Sequence, residues 1–179
     1  MSSLLLLLSA LVYGVMLRPL DRDCQISQFK SLSPRELEAF RVAKEAYEKS
    51  MLQTERKCSS KFFHRNWDFR KIPLSDRLTV LKAELNLTLE VLKAMKKPDL
   101  EKVLAQPLQT LSHINQEIQN CVTSMPSGEH KSPGRLKQWL HRLNEAKKES
   151  RDCLEASIML NLFRLLNHDL RCVAYGDLC

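Results

Sequence analysis

The residues with the most obvious chemistry are six cysteines, Cys24, Cys58, Cys121, Cys153, Cys172 and Cys179, and none is spaced as a Cys-x-x-Cys pair. That spacing argues against a zinc site or a dithiol redox centre. An even number of cysteines in an exported chain implies three disulfides and leaves no thiol nucleophile. The five histidines, His64, His113, His130, His141 and His168, have no partner at ligand spacing on one helical face, so no metal or other cofactor is expected. There is no Gly-x-Ser-x-Gly elbow and no phosphate loop, and the chain does not read as an enzyme. Asn86-Leu87-Thr88 is the one glycosylation sequon, with Asn86 as acceptor. Its place inside a helical pattern argues against modification, so both outcomes stay open.

Export is suggested by the amino terminus. An uncharged apolar run, Leu4 to Leu8 with Ser9, Ala10, Leu11 and Val12, ends at Gly14, the pattern of a signal peptide over residues 1–14 with the mature chain at 15–179. Leu4 to Leu17 falls short of the ~20 apolar residues that span a bilayer, so stable membrane insertion is not expected and the product reads as secreted. Residues 1–14 carry no charged side chain, so the mature chain keeps the whole net charge of +7. Most basic residues are expected on a solvated surface, with attraction to acidic receptor faces or sulfated glycans as a second reading. Nucleic acid is not expected, because the cations do not interleave with aromatic residues.

The elements that must position these residues are helices. Four glycines, seven prolines and 6% aromatic residues offer little turn chemistry for many short strands. Ser33, Pro34 and Glu36 form a capping box with Leu32 and Leu37 as its staple, and Leu37, Phe40, Ala43, Tyr47 and Met51 carry a helix over about 33–53. Residues 54–75 read as a long connection. A second helix covers about 76–96, with Thr79, Lys82, Asn86, Glu90 and Lys93 on its polar face and Pro98 as its stop. Residues 99–106 read as a short connector, and Pro107 opens a third helix to about 122. A loop with Pro126, Gly128 and Pro133 follows, then a minor helix over 136–146. The last helix opens at Asp152, with Glu155 three residues on, and runs to about Cys172 before Gly176 breaks it.

Long, short and long connections favour an all-α, up-up-down-down cytokine bundle over one with three short loops. That topology also prunes the cysteine pairings. Cys58 and Cys153 share one end with no other candidate. At the opposite end Cys172 and Cys179 close locally around Gly176, which leaves Cys24 with Cys121. The apolar arc of the last helix spans roughly half its circumference, wider than a bundle core needs at ~100° per residue. Met159 and Leu166 are assigned to packing under the long connections, and Leu160 and Phe163 to a partner surface.

Six segments carry a family resemblance: FKSLSPRELEAF (29–40), NWD (66–68), VLKAELNLTLEVL (80–92), QPLQTLSHI (106–114), GRLKQWLHRLNEAKKES (134–150) and CLEASIMLNLFRLLNHDL (153–170). Together they resemble the interferon lambda (type III interferon) family. The resemblance implies an antiviral cytokine related to the interleukin-10 group. Such a protein acts as a monomer that bridges a lambda-specific receptor chain and the shared interleukin-10 receptor beta chain, with Janus kinase and STAT signalling. Carried over by position, it implies that Pro34, Leu37, Trp67, Leu160, Phe163 and Arg164 meet the lambda-specific chain. Leu160 departs from the family pattern, which has phenylalanine there. The competing readings are a secreted lipid carrier and a basic helical protein acting on glycans or membranes without a specific receptor.

Overall fold

The computed structural model describes residues 24–51, 58, 62–125 and 133–179; the expected signal peptide lies outside them. Among the described residues the chain is helical, with no strand. Helix α1 is Pro34–Met51, α2 Leu74–Ala94, α3 Pro98–Ser124, α4 Gly134–Glu145 and α5 Arg151–Arg164. A π-helical turn, Leu165–Leu170, joins α5 to α6, Arg171–Tyr175. Short 3-10 turns at Ile26–Lys30, Phe69–Lys71, Ala146–Lys148 and Gly176–Leu178 complete the order.

The capping box forms as the sequence requires. Ser33 Oγ accepts from the Glu36 amide at 3.2 Å, and the Ser33 amide donates to Glu36 Oε2 at 2.9 Å. Glu36 also accepts from Thr110 of α3 at 3.4 Å, which ties the start of α1 to its main packing partner.

The third helix begins earlier than expected. Pro98 occupies its first turn, the connection from α2 is only Met95–Lys97, and Pro107 lies inside α3 rather than at its start. A proline nine residues into a helix removes one backbone donor and crowds the preceding turn. Here the apolar stripe through Leu100, Leu104, Leu111, Ile114 and Ile118, all buried, outweighs that local penalty.

The last helix likewise starts at Arg151 rather than Asp152, and Glu155 is buried instead of completing a cap. Its carboxylate pairs with Lys97 at 3.2 Å and Arg151 at 3.0 Å. It runs on through the π-helical turn to Tyr175, where Gly176 adopts φ 60. That backbone conformation suits glycine. The Gly176 carbonyl accepts from Arg77 Nη1 at 2.7 Å, joining the start of α2 to the end of the chain.

Disulfides Cys24–Cys121, Cys58–Cys153 and Cys172–Cys179 are the pairs the sequence led us to expect. The core runs through all the main helices. Helix α2 is buried around most of its circumference, leaving Thr79, Asn86, Glu90, Lys93 and Ala94 exposed, while Lys82 of the expected polar face is half-buried. Trp139 and Leu136 turn the inner face of α4 into the same core.

Candidate functional site

The six expected contact residues fall on α1, α5 and the connection between α1 and α2. Pro34 is exposed at the start of α1, and Leu37, half-buried, stands one turn on. Seven residues beyond Leu37, and so on the same face of the helix, Lys44 lies over the Phe163 ring of α5 at 5.9 Å. Phe163 is half-buried and packs against the core. One turn before Arg164, Leu160 is 63% exposed, while Ile158, Met159 and Leu162 around it are buried. An exposed leucine there does nothing for the core, and burying it against a partner would remove apolar surface from water. Met159 and Leu166 pack inward, as the width of the apolar arc suggested.

Trp67, expected only as a receptor contact implied by the resemblance, also takes part in packing. Its ring meets Trp139 of α4 edge to face at 6.1 Å, with the Arg65 guanidinium 5.5 Å from its centre. It is half-buried and contributes to packing as well as to surface. The cause is α4, whose inward Trp139 supplies a wall that the connection folds onto.

Arg164 is held by other parts of the chain. Its guanidinium donates to Glu84 Oε1 at 2.8 Å, Asp169 Oδ2 at 2.6 Å and Asn161 Oδ1 at 2.6 Å. Arg65 donates Nη2 to both oxygens of Asp169, at 2.8 and 2.7 Å. Glu84 and Asp169 are fully buried, so α2, α5, the π-helical turn and the connection meet at one polar cluster. Burial pushes both carboxyls up. The Arg65 guanidinium opposes burial at both, but at Glu84 the Asp169 charge adds to burial, whereas at Asp169 the hydrogen bonds from Arg65 and His168 also oppose it. Glu84 is therefore the group that keeps its proton above the usual carboxylate range. Its Oε2 is buried with no hydrogen-bond partner among the described residues, in keeping with a carboxyl that resists ionisation.

Trp67 and Arg164 line one cleft of about 500 Å³ together with Phe63, His64, Arg65, Arg70 and His168. Pro34 and Leu37 lie apart from it, on α1. Sequence reasoning missed Arg65, Glu84 and Asp169. The available signal was an acid at helical spacing within apolar stripes: Glu84 stands three after Leu81, and Asp169 three after Leu166. A second polar cluster sits near the Met95–Lys97 turn, where Lys97 covers the Tyr47 ring at 4.7 Å. Burial, with the Glu155 charge behind it, pushes the Tyr47 hydroxyl up to about 12.

Among the described residues no three His, Cys, Asp or Glu side chains are placed to hold a metal ion, and no helix is long and apolar enough to cross a membrane. A disulfide-bonded all-α bundle with no strand among the described residues is consistent with a helical cytokine. The interleukin-28A family matches residues 21–176. The chain is 51% identical to mouse (Mus musculus) interferon lambda-2 over 88% of its own length and 83% of that protein. It is also 51% identical to human (Homo sapiens) interferon lambda-1 over 88% and 80%, and 38% identical to chicken (Gallus gallus) interferon lambda-3 over 88% and 84%. The chain belongs to the interferon lambda, or type III interferon, family. It is a cytokine of antiviral defence and not an enzyme.

Proposed function

We propose that the chain is secreted after removal of residues 1–14 and acts as a monomer that bridges the lambda-specific receptor chain and the interleukin-10 receptor beta chain. The bridged receptors trigger Janus kinase and STAT signalling. The observation that carries this reading is Leu160, 63% exposed on a helix whose other large apolar residues are buried or half-buried. Pro34, Leu37, Trp67, Phe163 and Arg164 complete the surface for the lambda-specific chain, with Trp67 and Phe163 as aromatic anchors. An up-up-down-down order of the helices accompanies the reading. It is supported by the three-residue turn between α2 and α3, by the Cys24–Cys121 bridge and by the bond from Arg77 to Gly176. Asn86 is exposed on α2 beside Glu90 and Lys93, a face away from that surface, so signalling does not depend on whether it carries a glycan.

An interferon-response reporter in epithelial cells tests the proposal. The purified chain activates it when both receptor chains are present and is silent when the lambda-specific chain is deleted. A response that survives the deletion sinks the receptor assignment and favours direct action on glycans or membranes.

A further inference from the structure

Helix α4 carries a charge pattern that nothing in the bundle uses. Its inner face, Leu136, Trp139 and Leu143, is buried. Outward stand Arg135, Lys137, His141 and Arg142, with Lys147 and Lys148 in the turn that follows. The carboxylate at the end of this helix, Glu145, is already bonded to Lys148 at 2.5 Å, and Lys147 is bonded to Glu90 of α2 at 2.5 Å. Arg135 and Lys137 have no ion pair among the described residues. Arg142 makes a hydrogen bond of 3.3 Å to the His64 carbonyl, which leaves its charge uncompensated.

The other exposed helix faces differ. On α1, Arg41 pairs with Glu38 and Glu45, and Lys44 with Glu48. On α3, Lys102 stands among Asp99 and Glu101. On α4 the outward charge is mostly positive, its one carboxylate, Glu145, being already bonded to Lys148, and it is mounted on a helix whose position the core fixes. Arg135 and Arg142, seven residues apart, are set about 10 Å apart along the axis.

We propose that the outward face of α4 binds linear sulfated polysaccharide of the heparin type, a second attachment point that holds the cytokine at cell surfaces. The proposal rests on the secretion proposed above. The occupant follows from what the face lacks as well as what it has. Arg135 and Arg142 on one flank of the outward face, with Lys137 on the other, match a sulfated chain lying across the helix by charge. No aromatic ring faces outward to stack on bases, as a single-stranded nucleic acid would need. No large apolar side chain faces outward to enter a bilayer. Polyanion binding of this kind releases counterions, so affinity falls with salt in proportion to the number of cations engaged.

The test is salt-dependent binding of the purified chain to heparin. The wild-type protein elutes from immobilised heparin at higher salt than from a sulfopropyl resin. Changing Arg135→Gln, Lys137→Gln and Arg142→Gln together lowers the slope of log affinity against log salt by about three, one for each cation removed. The charge-matched control Arg35→Gln, Lys49→Gln, Lys102→Gln, exposed residues on α1 and α3, leaves the slope nearly unchanged. In the opposite direction, Gln138→Lys with Asn144→Lys, both exposed on α4, raises the eluting salt. Equal losses in the two triple variants, no gain from the added lysines, or capture by phosphatidylserine vesicles or DNA as strong as by heparin would overturn the proposal. Binding of the α4 triple variant to the isolated lambda-specific receptor ectodomain is measured alongside. Failure of the receptor reading there leaves the heparin result standing, and the reverse holds too.

Discussion

Glu84 lies on the apolar stripe of α2, fully buried, with one oxygen bonded to Arg164 and the other unpartnered. Its folded-state pKa is raised, by burial first and by Asp169 second. Between the ordinary carboxyl value and that raised value the folded chain holds a proton that the unfolded chain has lost. Unfolding therefore releases a proton there, and stability declines as pH rises through the window. Below the ordinary value the contribution is fully present. Glu84→Gln keeps the shape and fixes the neutral form, so the variant melts at or above the wild-type temperature at pH 7. The wild-type gain on going from pH 7 to pH 5 shrinks in it. Thermal melts across that range check this, and a variant that melts several degrees lower at pH 7 means that Glu84 works as an ionised partner of Arg164. A buried acid carries no mark of its burial in the sequence beyond its helical spacing. Whether it faces a guanidinium depends on Arg65, 104 residues from Asp169, and no local pattern reports such a meeting.

At the scale of elements, periodicity located the main helices, and where it failed the causes are specific. Pro107 reads as a helix start because proline suits a first turn, yet the buried stripe continues across it from Leu100 to Ile118. The π-helical turn left no visible signal, and it is there that Asp169 turns inward to meet Arg65 and Arg164. The packing of Trp67 left no sign in the sequence because its connection has no period, while the wall that receives it, Trp139, belongs to another element. This placement separates two substitutions that the sequence would treat alike. Trp67→Ala removes an aromatic pair and half-buried area, which costs about 1 to 3 kcal/mol and several degrees of melting temperature. Leu160→Ala at a mostly exposed position changes stability by less than about 0.5 kcal/mol. Both weaken binding to the lambda-specific receptor chain, but only Leu160→Ala does so with an unchanged melt. If Leu160→Ala binds normally, the leucine is ordinary exposed surface and not an anchor.

At the scale of the molecule, connection lengths and cysteine positions constrained one another: once the ends of the helices were assigned, few pairings remained. The pairings, once made, also set how unequally the bridges act through loop closure; what the sequence did not supply is the contact that the shortest one supports. Cys24–Cys121 and Cys58–Cys153 close 97 and 95 residues, whereas Cys172–Cys179 closes 7. In the chain-entropy account a long loop of this size contributes up to ~4.7 kcal/mol, and a seven-residue loop about half of that. The short bridge has a second role, because it closes the turn around Gly176 whose carbonyl holds Arg77 of α2. Opening it costs the small entropic share plus the anchoring of a buried guanidinium, but leaves the tie between the segment before α1 and the end of α3 intact. Replacing Cys172 and Cys179 with serine therefore gives a folded protein that melts lower by a modest amount. Replacing Cys24 and Cys121 costs roughly twice as much in reversible denaturant unfolding. Equal losses for the two pairs, or a larger loss from the short one, would show that contacts around Gly176, rather than loop closure, set the hierarchy.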